Sequence, residues 1–193
     1  LHGERVPGTV GYALEGTEVR VRDPDDRDVP DGEVGQLHVR GPNVFSEYRN
    51  LPDRTRSEFT ADGFFRTGDL GLRAPDGRIS IVGRAKDLVI SGGYNVYPRE
   101  VERLIDEQDD VVESAVIGVP HGDLGEAVVA VVVLRSGAEA SEATVLAGLA
   151  DRIARFKQPR RVVFEDRLPR NAMGKVQKNV LRDRHRDLFG GTA

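Results

Sequence analysis

The sequence predicts an α+β chain in two parts, a β-rich stretch over residues 1–84 and a mixed α+β stretch over 85–193. Three observations predict it. Short apolar–polar alternations, parted by Asp, Pro and Gly turns, fill the first part, which is the pattern of antiparallel hairpins. Helical periodicity begins only after Gly83. The longest apolar run, Ala127 to Leu134, is valine-rich and strand-length, well short of the roughly 20 residues a membrane helix needs.

Glu18 to Arg22 alternates, with Val19 and Val21 on one face, and Leu37 and Val39 alternate with Gln36, His38 and Arg40. A turn-forming cluster of Asp, Pro and Gly lies between them. Asp76-Gly77 separates a strand over 70–73 from one over 78–82. Residues 98–108 read as a helix opened by Pro98, with Val101, Leu104 and Ile105 on its apolar face. Strands are expected over 111–119 and 127–134, joined by Pro120-His121-Gly122-Asp123. A second helix is expected over 142–156, capped by Ser141, with Val145, Leu146, Leu149, Ile153 and Phe156 on its buried side. A short strand over 161–165, a polar loop and a basic helix from about Val176 complete the chain.

Composition narrows the function. Acids outnumber bases 32 to 28, for a net charge of -4, which argues against a nucleic-acid binder. The absence of cysteine excludes disulfides, thiolate metal sites and a cysteine nucleophile, and fits a reducing cytoplasm. His2, His38, His121 and His185 are scattered without metal-ligand spacing, so no metal site is expected in this chain. Leu1-His2-Gly3-Glu4 has neither the basic start nor the apolar core of a signal peptide. It also lacks an initiator methionine, so the chain is expected to begin inside a longer product. No membrane association is expected.

Four motifs carry candidate chemistry. In Phe64-Phe65-Arg66-Thr67-Gly68-Asp69, an aromatic pair leads into a Gly-Asp corner. An ionised Asp only accepts hydrogen bonds, which suits a diol such as a ribose, though a strand ending in an Asp-capped turn accounts for the same residues. Gly83-Arg84-Ala85-Lys86-Asp87 reads either as a solvated linker or as a hinge, with Arg84 a permanently charged donor. Ser91-Gly92-Gly93-Tyr94 reads as a tight turn or as the wall of a narrow tunnel, because adjacent glycines permit close approach. Leu168-Pro169-Arg170-Asn171-Ala172-Met173-Gly174-Lys175 is not a phosphate-binding P-loop: Pro169 stands where the leading glycine belongs and Val176 where Ser or Thr belongs. It reads as a flexible loop presenting one lysine, and a lone exposed lysine is more often simply solvated. A lysine about 4 Å from a developing phosphate charge contributes about 4 kcal/mol at an effective dielectric near 20. The basic residues beyond it, Lys178, Arg182, Arg184 and Arg186, read as a solvated helix face.

In this order and spacing, and together with Gly118-Val119-Pro120-His121-Gly122-Asp123-Leu124-Gly125-Glu126, the motifs resemble the adenylate-forming superfamily of acyl-CoA synthetases, luciferases and adenylation domains. The resemblance covers essentially the whole chain and is greatest to malonyl-CoA synthetases. It implies an ATP-dependent acid–thiol ligase acting on ATP, CoA and a dicarboxylic or other carboxylic acid. Residues 1–84 would be the end of its large domain and 85–193 its mobile small domain. By likeness, Asp69 would bind the ATP ribose with Arg84 in support, and Lys86 would be the hinge. Gly92 and Gly93 would line the CoA tunnel, Lys175 would serve the adenylation step, and Glu100 would open the first small-domain helix. Phe65 and Lys178 replace the family's usual tyrosine and arginine. The family's phosphate loop and its magnesium-holding glutamate have no match here, so the chain alone is expected to be inactive and Mg2+ to be held elsewhere. A different acid, a carrier-loading adenylation domain, or a non-catalytic CoA- or partner-binding module are the rival readings.

Overall fold

The computed structural model describes residues 6–190; Leu1-His2-Gly3-Glu4 lies outside them. The chain divides into two compact units, one running to Lys86 and the other starting at Asp87.

The first unit is a four-stranded antiparallel sheet in the order β1-β2-β3-β4, with β1 Glu18–Arg22, β2 Gly35–Arg40, β3 Phe65–Arg73 and β4 Ile79–Arg84. Val21, Leu37 and Ile79 form its apolar cluster. Gly71 is required where β3 crosses β2 and β4, because a Cβ there would lie 2.5 Å from the Ser80 carbonyl oxygen and 2.8 Å from Leu37. A short helix, α1 Pro52–Glu58, buries no residue. It has no apolar stripe, which is why periodicity does not announce it. Charge pairing supplements the small core. Arg22, 3 % exposed, grips both carboxylate oxygens of Asp62 at 2.6 and 3.1 Å and Asp28 at 2.9 Å. This raises the Arg22 pKa further and holds Asp62 well below the usual carboxylate range. The guanidinium groups of Arg20, Arg22 and Arg40 stand 4.8, 4.6 and 4.3 Å from the ring of fully buried Phe64.

The second unit is a five-stranded sheet. β5 Val89–Ser91 and β6 Tyr94–Val96 form a hairpin; α2 Pro98–Asp106 leads to β7 Val111–His121 and β8 Gly125–Leu134; α3 Glu142–Ala147, β9 Arg161–Phe164 and α4 Lys178–His185 follow. The strand order is β6-β5-β8-β7, with β9 parallel to β8. β8 alternates between two buried faces. Val128, Ala130 and Val132 pack with Val101, Leu104 and Ile105 of α2 and with Val145 and Leu149. Val129, Val131 and Val133 pack with Ala115, Ile117 and Val119 of β7, Leu168, and Leu181 of α4. Burial on both faces explains a continuous valine run where a half-exposed strand would alternate. No helix among the described residues is long and apolar enough to cross a membrane.

The expected helix over 142–156 is shorter than its pattern. Ser141 Oγ accepts from the Thr144 N–H as expected of a cap, but α3 ends at Ala147. A Cβ on Gly148 would lie 2.6 Å from Gln108 Nε2, while Gln108 and Gln158 donate to the carbonyls of Val145, Ala150 and Ile153. Gln108, distant in sequence, thus satisfies one carbonyl of the helix end, and Gln158 ties the segment that follows it. Phe156 is not on a buried helix face: it is 41 % exposed and stacks on Tyr94. The expected turn at 120–123 is also displaced, since β7 runs through His121 and β8 resumes at Gly125. The last helix starts at Lys178 rather than Val176.

Candidate functional site

Asp69 and Arg84 belong to the first unit, and the structure brings them together. They face each other in the β3–β4 register, and Arg84 Nε lies 2.7 Å from Asp69 Oδ1. The expected Gly-Asp corner is absent; β3 continues through it, with Gly68 at φ +73° and a bulge between Leu70 and Gly71. The bulge re-aims the strand beside the Asp69–Arg84 pair. Thr67 fixes the Asp69 backbone: its hydroxyl donates to the Leu37 carbonyl at 2.8 Å and accepts from the Asp69 N–H at 3.0 Å. Asp69 therefore presents a half-buried carboxylate already neutralised on one side. Neighbouring Arg66 is a structural staple, donating to the carbonyls of Ser57 and Phe59 and pairing with Asp26. Lys86 sits in a single 3-10 turn, Ala85–Asp87, directly after β4.

Gly92 and Gly93 form the two-residue turn between β5 and β6, at φ +58° and +81°. Positive φ at both central positions is the requirement that two glycines meet without strain. The Gly92 N–H donates to the Leu124 carbonyl, anchoring the turn, whereas a Cβ on Gly93 would find nothing within 4 Å. Of the two glycines expected at a tunnel wall, Gly93 is the one that faces open space. Glu100, in the first turn of α2, takes Lys157 Nζ at 2.8 Å on both oxygens, a structural tie.

Lys175 is exposed, but its loop is not the loose one expected. Residues 171–175 form a hydrogen-bonded turn between the bridged residues Arg170 and Val176. Asn171 Oδ1 accepts from the N–H groups of Met173 and Lys175, each at 3.0 Å. Nor is the helix that follows a merely solvated basic face. Lys178 reaches buried Glu102 at 2.5 Å, Arg182 lies 2.9 Å from Asp87, and Arg184 pairs with Glu165. An open cleft near Arg170 carries two internal ion pairs, Arg170 with Glu113 and Arg184 with Glu165, and is also lined by Asp166 and Arg167.

Thr67 and Asn171 were missed in reading the motifs. Their signals are local: a hydroxyl two residues before Asp69, and an Asn starting a turn that ends in Gly-Lys. Among the described residues, no group of three or more His, Cys, Asp or Glu side chains is placed to hold a metal ion.

The family model for the AMP-binding enzyme C-terminal domain matches residues 100–175, and that for AMP-binding enzymes matches 1–49. A 3-[(3aS,4S,7aS)-7a-methyl-1,5-dioxo-octahydro-1H-inden-4-yl]propanoyl:CoA ligase of Rhodococcus jostii is 46% identical over 92% of this chain and 33% of its own length. A malonate–CoA ligase of Arabidopsis thaliana is 39% identical over 94% of this chain and 31% of its own. The crystal structure of ATP-bound MatB from Rhodopseudomonas palustris is 56% identical and superposes with a TM-score of 0.92, covering 97% of this chain and 37% of that one. The chain spans about a third of the length of the curated relatives it matches. On its motifs, its two family matches and these relatives, the chain belongs to the adenylate-forming family of AMP-binding enzymes and corresponds to its C-terminal part.

Proposed function

We propose that the chain serves as the C-terminal part of an AMP-forming carboxylic acid:CoA ligase whose acid is malonate. The observation that carries this reading is the Asp69 carboxylate, steadied by Arg84 at 2.7 Å and by the Thr67 hydroxyl on its backbone. It is an acceptor suited to the paired hydroxyls of a ribose. In the proposed reaction the acid's carboxylate attacks the α-phosphorus of ATP and pyrophosphate leaves; the CoA thiol then attacks the acyl carbon and AMP leaves. Lys175 offsets charge building on the phosphate in the first step. Rotation at Lys86 withdraws it and brings the Gly92–Gly93 turn to the adenylate for the second. On this reading residues 1–84 close the large domain and 85–193 form the small mobile one. Among the described residues no group of three or more His, Cys, Asp or Glu side chains is placed to hold magnesium.

Support for malonate comes from the motif resemblance and the Arabidopsis relative. A second reading, a ligase for a different acid, is favoured by the higher identity to the Rhodococcus enzyme. The test is CoA-dependent AMP release, with malonate and a panel of other acids, by this chain and by the longer protein of which we propose it forms part. The longer protein is expected to turn over malonate and the chain alone to release no AMP. Activity of the longer protein on another acid only selects the second reading. Turnover by the chain alone overturns the assignment of its residues.

A further inference from the structure

We propose that Asn171 is the positioning residue of Lys175, acting through the backbone of the turn rather than on substrate. The inference rests on the adenylation role of Lys175 given above. Asn171 holds the turn from three atoms. Its Oδ1 accepts from Met173 and Lys175, its N–H donates to the Lys175 carbonyl at 3.0 Å, and its carbonyl accepts from Gly174 at 2.9 Å. Gly174, at φ +77°, supplies the reversal. Ala172, Met173 and Gly174 are all exposed, with Met173 at 78 %, so hydrogen bonding rather than packing shapes this turn. Arg170 then ties the turn to the sheet, donating to the Gly174 carbonyl at 2.6 Å while its other nitrogen pairs with Glu113 on β7.

The chemistry explains why an amide serves. A side-chain carbonyl can accept two N–H groups at once, closing the turn without placing a negative charge beside a lysine intended for a phosphate. Lys175 Nζ sits at the end of a long side chain, so its reach is set by where the turn fixes its Cα. A displacement of about 1 Å in such a group costs up to roughly a hundredfold in rate.

The experiment compares Asn171→Ala, Asn171→Asp and Lys175→Ala in the full-length enzyme, assaying adenylate formation and thioester formation from preformed adenylate separately. Amide exchange at Met173 and Lys175 is followed alongside. Asn171→Ala is expected to slow adenylation roughly ten- to a hundredfold, with thioester formation little changed and both amides exchanging faster. Asn171→Asp, which keeps both acceptor contacts but adds a negative charge beside Lys175, is expected to restore the slow exchange of both amides and to recover the rate only in part. If Lys175→Ala slows adenylation but Asn171→Ala does not, the positioning role is overturned and the function stands. Equal loss in both half-reactions, or unchanged exchange of the Met173 and Lys175 amides in Asn171→Ala, also overturns it. If Lys175→Ala leaves adenylation intact, the underlying reading fails instead.

Discussion

His38 lies wholly inside the first unit, and neither ring nitrogen has a hydrogen-bond partner among the described residues. Loss of hydration pushes its pKa below the usual 6.5; Asp26, whose Oδ1 is 3.9 Å from Nδ1, and Asp62 oppose that, while Arg22 and Arg66 reinforce it. The unfolded chain therefore takes up a proton that the folded one refuses. Stability is fully present above about pH 6.5 and falls as acid lowers the pH through the folded value, by at most ~1.4 kcal/mol per pH unit for one proton. The lowered carboxylates Asp26 and Asp62 titrate well below this window. Melting curves between pH 7.5 and 5 should show the first unit weakening, and His38→Leu should flatten that dependence. An unchanged slope in the variant refutes the assignment.

Among the elements, Glu102 joins three at once. From α2 it accepts the Val116 N–H of β7 at 2.9 Å and Lys178 Nζ of α4 at 2.5 Å, though only 6 % exposed. Truncation strands a mostly buried ammonium and a buried N–H, so Glu102→Ala should cost ~3–5 kcal/mol in the denaturation midpoint of the second unit. A loss below about 1 kcal/mol would place Lys178 in water instead. Nothing in the sequence around Glu102 marks it as buried. What the sequence did reveal was repetition: the period of two in β1 and β2, the apolar stripe of α2, the valine run of β8. Three-residue strands such as β5 and β6 are too short to carry a period, and α3 stops at Ala147, where Gln108 from outside the helix takes the Val145 carbonyl. The site divides likewise. Residue types identified Asp69, Arg84 and Lys175 as candidates. The cross-strand register that joins the first two, and the amide that shapes the turn of the third, depend on partners whose pairing only the fold displays.

On the scale of the whole molecule, the two units are stabilised differently. The second buries apolar side chains on both faces of its sheet, whereas the first has a small apolar cluster supplemented by Arg22–Asp62, Arg66–Asp26 and Arg40–Glu18 pairs. The chain should therefore melt in two steps, the first unit earlier and with the greater response to salt, because partly exposed pairs are screened and buried hydrocarbon is not. Residues 87–193 expressed alone should reproduce the later step in scanning calorimetry. A single cooperative transition that resists dissection this way contradicts the idea.

The two-sided burial of β8 also bears on how the chain is made. Its valines emerge from the ribosome well before Leu181, the α4 residue that covers one of their faces. At about 5–20 residues per second, the intervening roughly fifty residues leave that hydrocarbon uncovered for several seconds. A ribosome stalled within that interval would display a strand of high β-propensity without its helical cover, a substrate for chaperones. Codon choice between β8 and α4 thus bears on the yield of folded protein as much as any contact in the finished molecule.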